Sequence, residues 1–171
     1  HEYPRIYLIG SVGEDDPSYD ALRDYFQERY EYLNPMDMTS EQRLMKNLER
    51  GAAVIMDDID SVSDARIRKA TQLYRDRLLE KARHKSLRIW SSVHLFNAYR
   101  ETTKLRNSAR WLFIFPRSIP RTLLQILDQT FSMKRKAGQI LLKKCQRDGR
   151  LCVISKQHPQ FLMTSKRLIL L

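Results

Sequence analysis

Short continuous apolar runs alternate along this chain with longer stretches whose apolar residues recur every three or four positions. The first run, Arg5-Ile6-Tyr7-Leu8-Ile9, is β-branched and aromatic and stops at Gly10, before the turn-rich Gly13-Glu14-Asp15-Asp16-Pro17. That pattern predicts a buried strand followed by a loop. Ser18 is placed to cap a helix with apolar positions Leu22, Tyr25, Phe26 and Tyr30; Thr39 with Gln42 reads as the capping box of a second, short helix up to Arg50, stopped by Gly51. Ala52-Ala53-Val54-Ile55-Met56 is apolar on both faces, as a central parallel strand is, and runs into Asp57-Asp58-Ile59-Asp60. From Ser63 to about His84, the spacing of Ile67, Ala70, Leu73, Tyr74 and Leu78 predicts a long amphipathic helix, and Leu87-Arg88-Ile89-Trp90-Ser91-Ser92 returns to strand. Strand, helix, strand is the crossover unit of a parallel sheet.

After a polar segment from His94 to Ala109, Trp111-Leu112-Phe113-Ile114-Phe115 reads as a further buried strand of the same parallel set, closed by Pro116. Helices are expected over about Arg121–Phe131 and Met133–Gln146, a turn at Asp148-Gly149, and a hairpin from Leu151-Cys152-Val153-Ile154 and Phe161-Leu162-Met163. The class is α/β, with about four core strands and an antiparallel addition. One domain over 1–171 is expected, with a sheet core carrying the acidic strand over 1–131 and a basic helix and hairpin over 132–171. Trp90 and Trp111, both inside strands, are expected in the core rather than as base-stacking platforms. Because the chain opens on His1 and reaches an apolar run at once, it reads as cut from a longer parent.

Charge changes the picture. The net charge is +11, yet residues 1–81 hold 12 Lys/Arg against 17 Asp/Glu, and residues 82–171 hold 19 against 3. A concentration of one sign on that scale points to a polyanion, with nucleic acid favoured over a mere solubility role. Lys134, Arg135, Lys136, Lys143, Lys144 and Arg147 flank an apolar stripe of Met133, Ala137, Ile140 and Leu141, forming a basic amphipathic helix suited to DNA phosphates. No apolar run approaches the roughly 18–20 residues of a membrane span, so no membrane partner is expected. Cys145 and Cys152 form no CxxC pair and the four histidines are scattered, which excludes a sequence-encoded zinc site and leaves the thiols reduced.

The sharpest local signal is the apolar strand that ends in Asp57-Asp58. Carboxylates at the carboxyl end of a parallel strand face the crevice where α/β sheets bind ligands. In a phosphate-loop ATPase the first acid holds Mg²⁺ and the second orients the attacking water; a capping or surface role for Asp58 and Asp60 is the alternative. His94 is either a γ-phosphate sensor or a loop histidine, and Arg100 and Arg106 are either arginine-finger candidates or solvated.

Taken in order, these pieces resemble the poxvirus-type genome-packaging ATPases of large DNA viruses, virophages and Polinton-like elements, within the FtsK- and HerA-like class of DNA pumps. The resemblance begins at the family's second strand, with Arg5–Ile9 leading to Asp16-Pro17-Ser18-Tyr19-Asp20 in place of an Asp/Pro/Tyr loop. It continues through Val54-Ile55-Met56-Asp57-Asp58, then a polar sensor segment offering Ser92, His94, Asn97, Thr102 or Thr103, and Asn107, then Phe115-Pro116-Arg117, the basic helix and the hairpin. Ser92-Val93-His94 carries one residue more than the family's Ser-His pair, and the spacing to Asn107 is also about one residue long.

The resemblance implies a P-loop-NTPase-like parallel sheet flanked by helices with a C-terminal β-hairpin. The N-terminal strand, phosphate loop and first helix are missing, since no G-x-x-x-x-G-K-[S/T] occurs. It also implies ATP and Mg²⁺ as cofactors of the intact parent, with Asp57 on the metal, Asp58 on the water, and Ser92, His94 and Arg106 around the phosphates. Implied partners are double-stranded DNA, capsid or portal-type viral proteins and further copies in a homo-oligomeric ring; the implied location is host-cell cytoplasm, viral factory or virion. The function expected is a motor coupling ATP hydrolysis to DNA translocation into a capsid, with this chain alone inactive. The alternatives are a non-catalytic nucleic-acid-binding module or degenerate ATPase paralogue, and, third, a Mg²⁺-dependent nuclease on Asp57, Asp58 and Asp60. Loss of the strand expected beside the Asp57 strand would leave an unpaired edge at the sheet centre.

Overall fold

The apolar run at the start of the chain forms β1 (Ile6–Gly10), all five residues of which are buried in the computed structural model, which describes residues 3–40, 47–93, 103–115 and 120–171. Two units divide the chain, His1–Leu105 and Arg106–Leu171.

In the first unit β1 pairs in parallel with β2 (Tyr30–Tyr32) and with β3 (Ala53–Asp57), and β3 pairs in parallel with β4 (Arg88–Ser91), giving the order β2-β1-β3-β4. β1 and β3 are the inner strands, which is why their sequences are apolar on both faces. Helix α1 (Asp20–Phe26) is shorter than the apolar spacing predicts. Asp16, not Ser18, caps the turn before it, and Tyr30 leaves the helical register to open β2. A Tyr-Glu-Tyr triplet carries no alternation long enough to announce a strand; β1 recruits it by backbone pairing. The proposed capping box at Thr39 and Gln42 lies outside the residues described in full.

Helix α2 (Ala65–Lys85) is capped by Asp64, whose carboxylate accepts from the Arg66 and Ile67 amides. It buries Ile67, Thr71, Tyr74, Arg75 and Leu78, whereas Leu73, assigned to the apolar face by spacing, is half exposed. Tyr74, Leu78 and Ala82 pack on Tyr7, Ile9, Val54, Met56 and Ile89 of the sheet, joined by Leu33, Met38, Leu48 and Ile59. Arg75 is fully buried, a position that a charged side chain holds only when paired. It lies against Asp76 at 3.2 Å and Asp60 at 3.9 Å.

The second unit contains β5 (Trp111–Ile114), α4 (Pro120–Phe131), α5 (Arg135–Asp148), β6 (Cys152–Ser155), β7 (Phe161–Met163) and β8 (Leu168–Leu170), and α3 (Thr103–Ser108) spans the division between the units. All four strands form one antiparallel sheet in the order β5-β6-β7-β8. This corrects two expectations. The Trp111 strand does not join the parallel sheet: it pairs antiparallel with β6, Trp111 opposite Ser155 and Ile114 opposite Cys152, and a continuous apolar run such as Trp111–Phe115 carries no signal of which strand it pairs with. The expected hairpin also gains a third member, β8. Helices thus accompany a parallel sheet in one unit and an antiparallel sheet in the other.

Cys145 of α5 meets Cys152 of β6, both thiols reduced and buried. Where α5 passes α4, Gly138 has no room for a side chain: a β-carbon would lie 3.0 Å from Leu124 Cδ2. The last residue of α5, Asp148, is buried and bonded to Arg167 at 2.7 Å and Thr164 at 2.8 Å, which fastens the helix end to the β7–β8 turn.

Burial opposes ionisation of Asp148, but the hydrogen bonds from Arg167 and Thr164 outweigh it and hold the carboxyl below its usual value. A carboxyl depressed in the folded state stabilises fully above its unfolded value of about 3.9, and that contribution vanishes as pH falls through the folded value. Thermal melts of the wild type and Asp148→Asn should therefore keep their full difference from neutral pH down to about pH 4 and converge only as the pH falls further, through the folded-state value. A gap that stays constant down to pH 2 would show that ionised Asp148 contributes nothing.

Candidate functional site

The parallel register brings three polar strand ends together. Gly10 of β1 is opposite Asp57 of β3, and Met56 is opposite Ser91, which brings Ser92 beside Asp57. The Ser92 hydroxyl donates to Asp57 Oδ1 at 2.6 Å, and Ser92 Oγ in turn accepts from the Asp58 amide at 2.8 Å. From the loop after β1, the Tyr19 hydroxyl donates to Asp57 Oδ2 at 3.1 Å. Burial and the Asp57 charge push the Tyr19 hydroxyl well above the ordinary tyrosine value, so Tyr19 remains a neutral donor. Asp57 therefore has one hydroxyl on each carboxylate oxygen and lies at the carboxyl end of an inner parallel strand, the position where open α/β sheets bind ligands.

Local sequence explains the geometry. Asp16 caps the turn Pro17–Tyr19, and that turn delivers Tyr19 to the sheet end. Tyr19 fits only because residue 10 is glycine: a β-carbon there would lie 2.4 Å from the Tyr19 hydroxyl oxygen. Asp58 departs from the strand with φ 50° and ψ 35°, a left-handed conformation that aspartate adopts more readily than most residues. The chain turns sharply there into Ile59–Ser61, so Asp57 and Asp58 do not continue one strand.

Asp60 is drawn away from this constellation. Its Oδ1 accepts from Gln72 at 3.0 Å and faces buried Arg75. A triple-carboxylate metal centre on Asp57, Asp58 and Asp60 is not assembled, and among the described residues no three His, Cys, Asp or Glu side chains are grouped to hold a metal. The nuclease alternative loses its ligand set with Asp60. A hydrated Mg²⁺ does not need such a cage, because it keeps several waters and takes one or two carboxylates plus substrate phosphates. Each Asp57 oxygen accepts one protein hydrogen bond and retains lone-pair capacity, so the donor set fits a cation held through water.

The other expected residues divide. His94, Asn97, Arg100, Thr102, Pro116 and Arg117 lie outside the described residues. Arg106 is at the start of the second unit, where its guanidinium donates to Gln129 at 3.4 Å and its carbonyl accepts from Lys156. Lys134, Arg135, Lys136, Lys143, Lys144 and Arg147 are all exposed. The apolar stripe of α5, however, is Gly138, Leu141, Leu142 and Cys145, not the set containing Ala137 and Ile140; Ile140 is 53% exposed. This shift places Lys136, Lys143 and Arg147 in one outward line opposite the buried face. Trp90 and Trp111 are half exposed instead of core. The unpaired centre expected beside the Asp57 strand is absent too, because β3 is paired on both sides and β4 is the outer strand.

Comparison of the chain with protein-family models, with curated proteins and with solved structures returns no match. No helix among the described residues is long and apolar enough to cross a membrane. In the sequence Tyr19 stands in an Asp/Pro/Tyr loop with no partner in view; the signal that pairs it with Asp57 is the glycine at position 10, which leaves room for its ring.

A hydrogen bond to a charged group contributes about 1.5–3 kcal/mol, so Tyr19→Phe should lower stability by roughly that amount or less at this half-buried site. Gly10→Ala should cost more, since the new methyl overlaps the Tyr19 hydroxyl. Adding Tyr19→Phe to Gly10→Ala removes the worst overlap, and urea unfolding should show the double variant less destabilised than the sum of the singles. Strict additivity would mean that Tyr19 does not lie over Gly10.

Proposed function

We propose that this chain carries the acidic strand and adjacent polar strand of a Mg²⁺-dependent ATPase that moves double-stranded DNA, resembling the genome-packaging motors of large DNA viruses. The observation that carries the reading is the hydrogen-bonded Asp57–Ser92 pair at the carboxyl ends of neighbouring parallel strands, 2.6 Å apart. In this reading Asp57, oriented by Ser92 and Tyr19, holds the hydrated cation, and Asp58, turned out of the strand by its left-handed backbone, orients the attacking water. The cation supplies neutralisation of phosphate charge. With no G-x-x-x-x-G-K-[S/T] in the sequence, the phosphate cradle comes from residues outside these 171. The sensor role of His94 and the finger role of Arg106 belong to the same proposal, as do ring assembly and capsid or portal partners.

DNA handling is assigned to α5. Lys136, Lys143 and Arg147 lie along one exposed line that spans about 16 Å at 1.5 Å per residue, and Lys144 flanks it. This surface is equally what a non-catalytic nucleic-acid-binding module needs. Turnover decides between the two.

The chain alone should show no ATP hydrolysis. Expressed with the reading frame that precedes His1, it should hydrolyse ATP with Mg²⁺, and Asp57→Asn should reduce turnover at least about 100-fold, the scale of losing one electrostatic stabiliser. Turnover by the 171 residues alone would overturn the assignment of the cradle to outside residues; no turnover by the longer protein would favour the binding module.

Each phosphate neutralised by Lys or Arg releases counterions, so log affinity for duplex DNA falls by about 0.9 per contact for each decade of salt. Replacing Lys136, Lys143, Lys144 and Arg147 with Gln should flatten that slope by roughly 3 to 4, whereas replacing Arg66, Arg68 and Lys69 should leave it nearly unchanged. Equal effects of the two sets would remove α5 as the DNA surface.

A further inference from the structure

The two hydroxyls on Asp57 are held differently. Ser92 is exposed where the chain leaves β4, and donates to Oδ1. Tyr19 donates to Oδ2 from a position that is 4% exposed, and its loop is fastened at several points. The Ser11 amide donates to the Asp57 carbonyl at 3.2 Å. The Tyr32 hydroxyl donates to the Val12 carbonyl at 2.6 Å and lies 3.2 Å from the Gly10 carbonyl. Asp16 caps the turn that carries Tyr19, whose hydroxyl end fills the space where a Gly10 β-carbon would stand. Asp57 Oδ2 therefore faces a donor held in place by its own loop.

A donor so placed decides how the carboxylate can meet a cation. The hydrogen of a donor sits about 1.9–2.0 Å from the acceptor oxygen, and a cation in direct contact sits about 2.0–2.6 Å from it. Both positive centres then crowd one oxygen and repel. A water of hydration avoids the conflict, because it offers its own hydrogen to a remaining lone pair and keeps the cation one shell away. Burial and the Asp57 charge keep Tyr19 protonated, so the phenol does not become an anionic ligand itself.

The surroundings offer no compensation for lost water. Asp60 is committed to Gln72 and Arg75, and among the described residues no three His, Cys, Asp or Glu side chains gather into a cage. Ca²⁺ takes roughly six to eight oxygen ligands, commonly carboxylates in direct contact, whereas Mg²⁺ dehydrates reluctantly and keeps several waters.

We propose that Tyr19 sets the cation preference of the Asp57 site: by occupying Oδ2 it bars direct coordination, so the site takes a hydrated cation such as Mg²⁺ and rejects Ca²⁺. The carboxylate attracts any cation, and the tyrosine selects among them. The inference rests on the proposed placement of a cation at Asp57, and adds to it the residue that discriminates.

Two probes separate the hydrated mode from the direct one. Hexaamminecobalt(III), whose ligands do not exchange, stands in for a fully hydrated cation; Tb³⁺ stands in for a cation that takes oxygen ligands directly, as Ca²⁺ does. By titration calorimetry the wild type should bind hexaamminecobalt(III) more tightly than Asp57→Asn does, and Tyr19→Phe should leave that affinity nearly unchanged. Luminescence lifetimes in H₂O and D₂O count the waters left on bound Tb³⁺. Wild type and Asp57→Asn should give the same count. Tyr19→Phe should give a lower one, with Tb³⁺ affinity up about 10-fold, the scale of releasing one charge-assisted hydrogen bond. Adding Asp57→Asn to Tyr19→Phe should restore the wild-type count. Exposed Glu14 and Asp15 are present in all four proteins, so their own Tb³⁺ binding cancels in the comparison.

A Tyr19→Phe count equal to that of the wild type, with hexaamminecobalt(III) binding intact, would overturn the inference and leave the cation at Asp57. So would a wild-type count lower than that of Asp57→Asn. This second comparison needs no substitution at Tyr19, so it decides the matter even if Tyr19→Phe does not fold, which circular dichroism reveals. Equal hexaamminecobalt(III) binding by wild type and Asp57→Asn would take the cation away from Asp57, and with it both this inference and the ATPase reading.

Discussion

Parallel pairing of β3 between β1 and β4 is the constraint on which the acidic end of the first unit depends. Side chains in register across a sheet share a face, so pairing Gly10 with Asp57 and Met56 with Ser91 sets the small residue, the acid and the Ser92 hydroxyl in one row. A slip of one residue would turn Asp57 toward Tyr74 and Leu78 of α2 and carry Met56 out of the core. The apolar packing beneath the sheet thus holds a polar arrangement above it.

Three polar side chains are then committed before any ligand arrives. Ser92 bridges the Asp57 carboxylate and the Asp58 amide, and Tyr19 restrains the remaining Asp57 oxygen. Preorganised donors of this kind fix a carboxylate's orientation without using all of its acceptor capacity. Asp60, three residues from Asp57, is instead tied to Gln72 and the buried Arg75, so three acids close in sequence serve two different purposes. One faces the sheet end, and another anchors the following turn to α2.

The second unit solves a different problem with the same kind of alternation. Its strands bury Leu112, Ile114, Ile154 and Leu162 on one side and hold half-exposed Trp111 and Phe113 on the other, while α5 covers the buried side and turns its lysines outward. Asp148, one of two acids in this unit, is spent on Arg167 and Thr164 inside the fold. The charge that remains at the surface is almost wholly cationic.

By itself the sequence determined the strands at Ile6–Gly10, Ala53–Asp57, Arg88–Ser91 and Trp111–Ile114, the long helix between β3 and β4, and the acidic pair at a strand end. Continuous apolar runs and three-to-four spacing are local, and local patterns survive in one dimension. Tertiary structure alone decided partner choice and facing. Tyr30–Tyr32 became a strand because β1 offered an edge, and the Trp111 strand paired with β6 instead of joining the parallel set. α5 rotated so that Gly138 met α4 and Ile140 faced water, and Tyr19 reached Asp57 across 38 positions of chain. Such choices depend on which surfaces meet in space, and a hydrophobic residue reads the same in sequence whether it is buried in a core or half exposed.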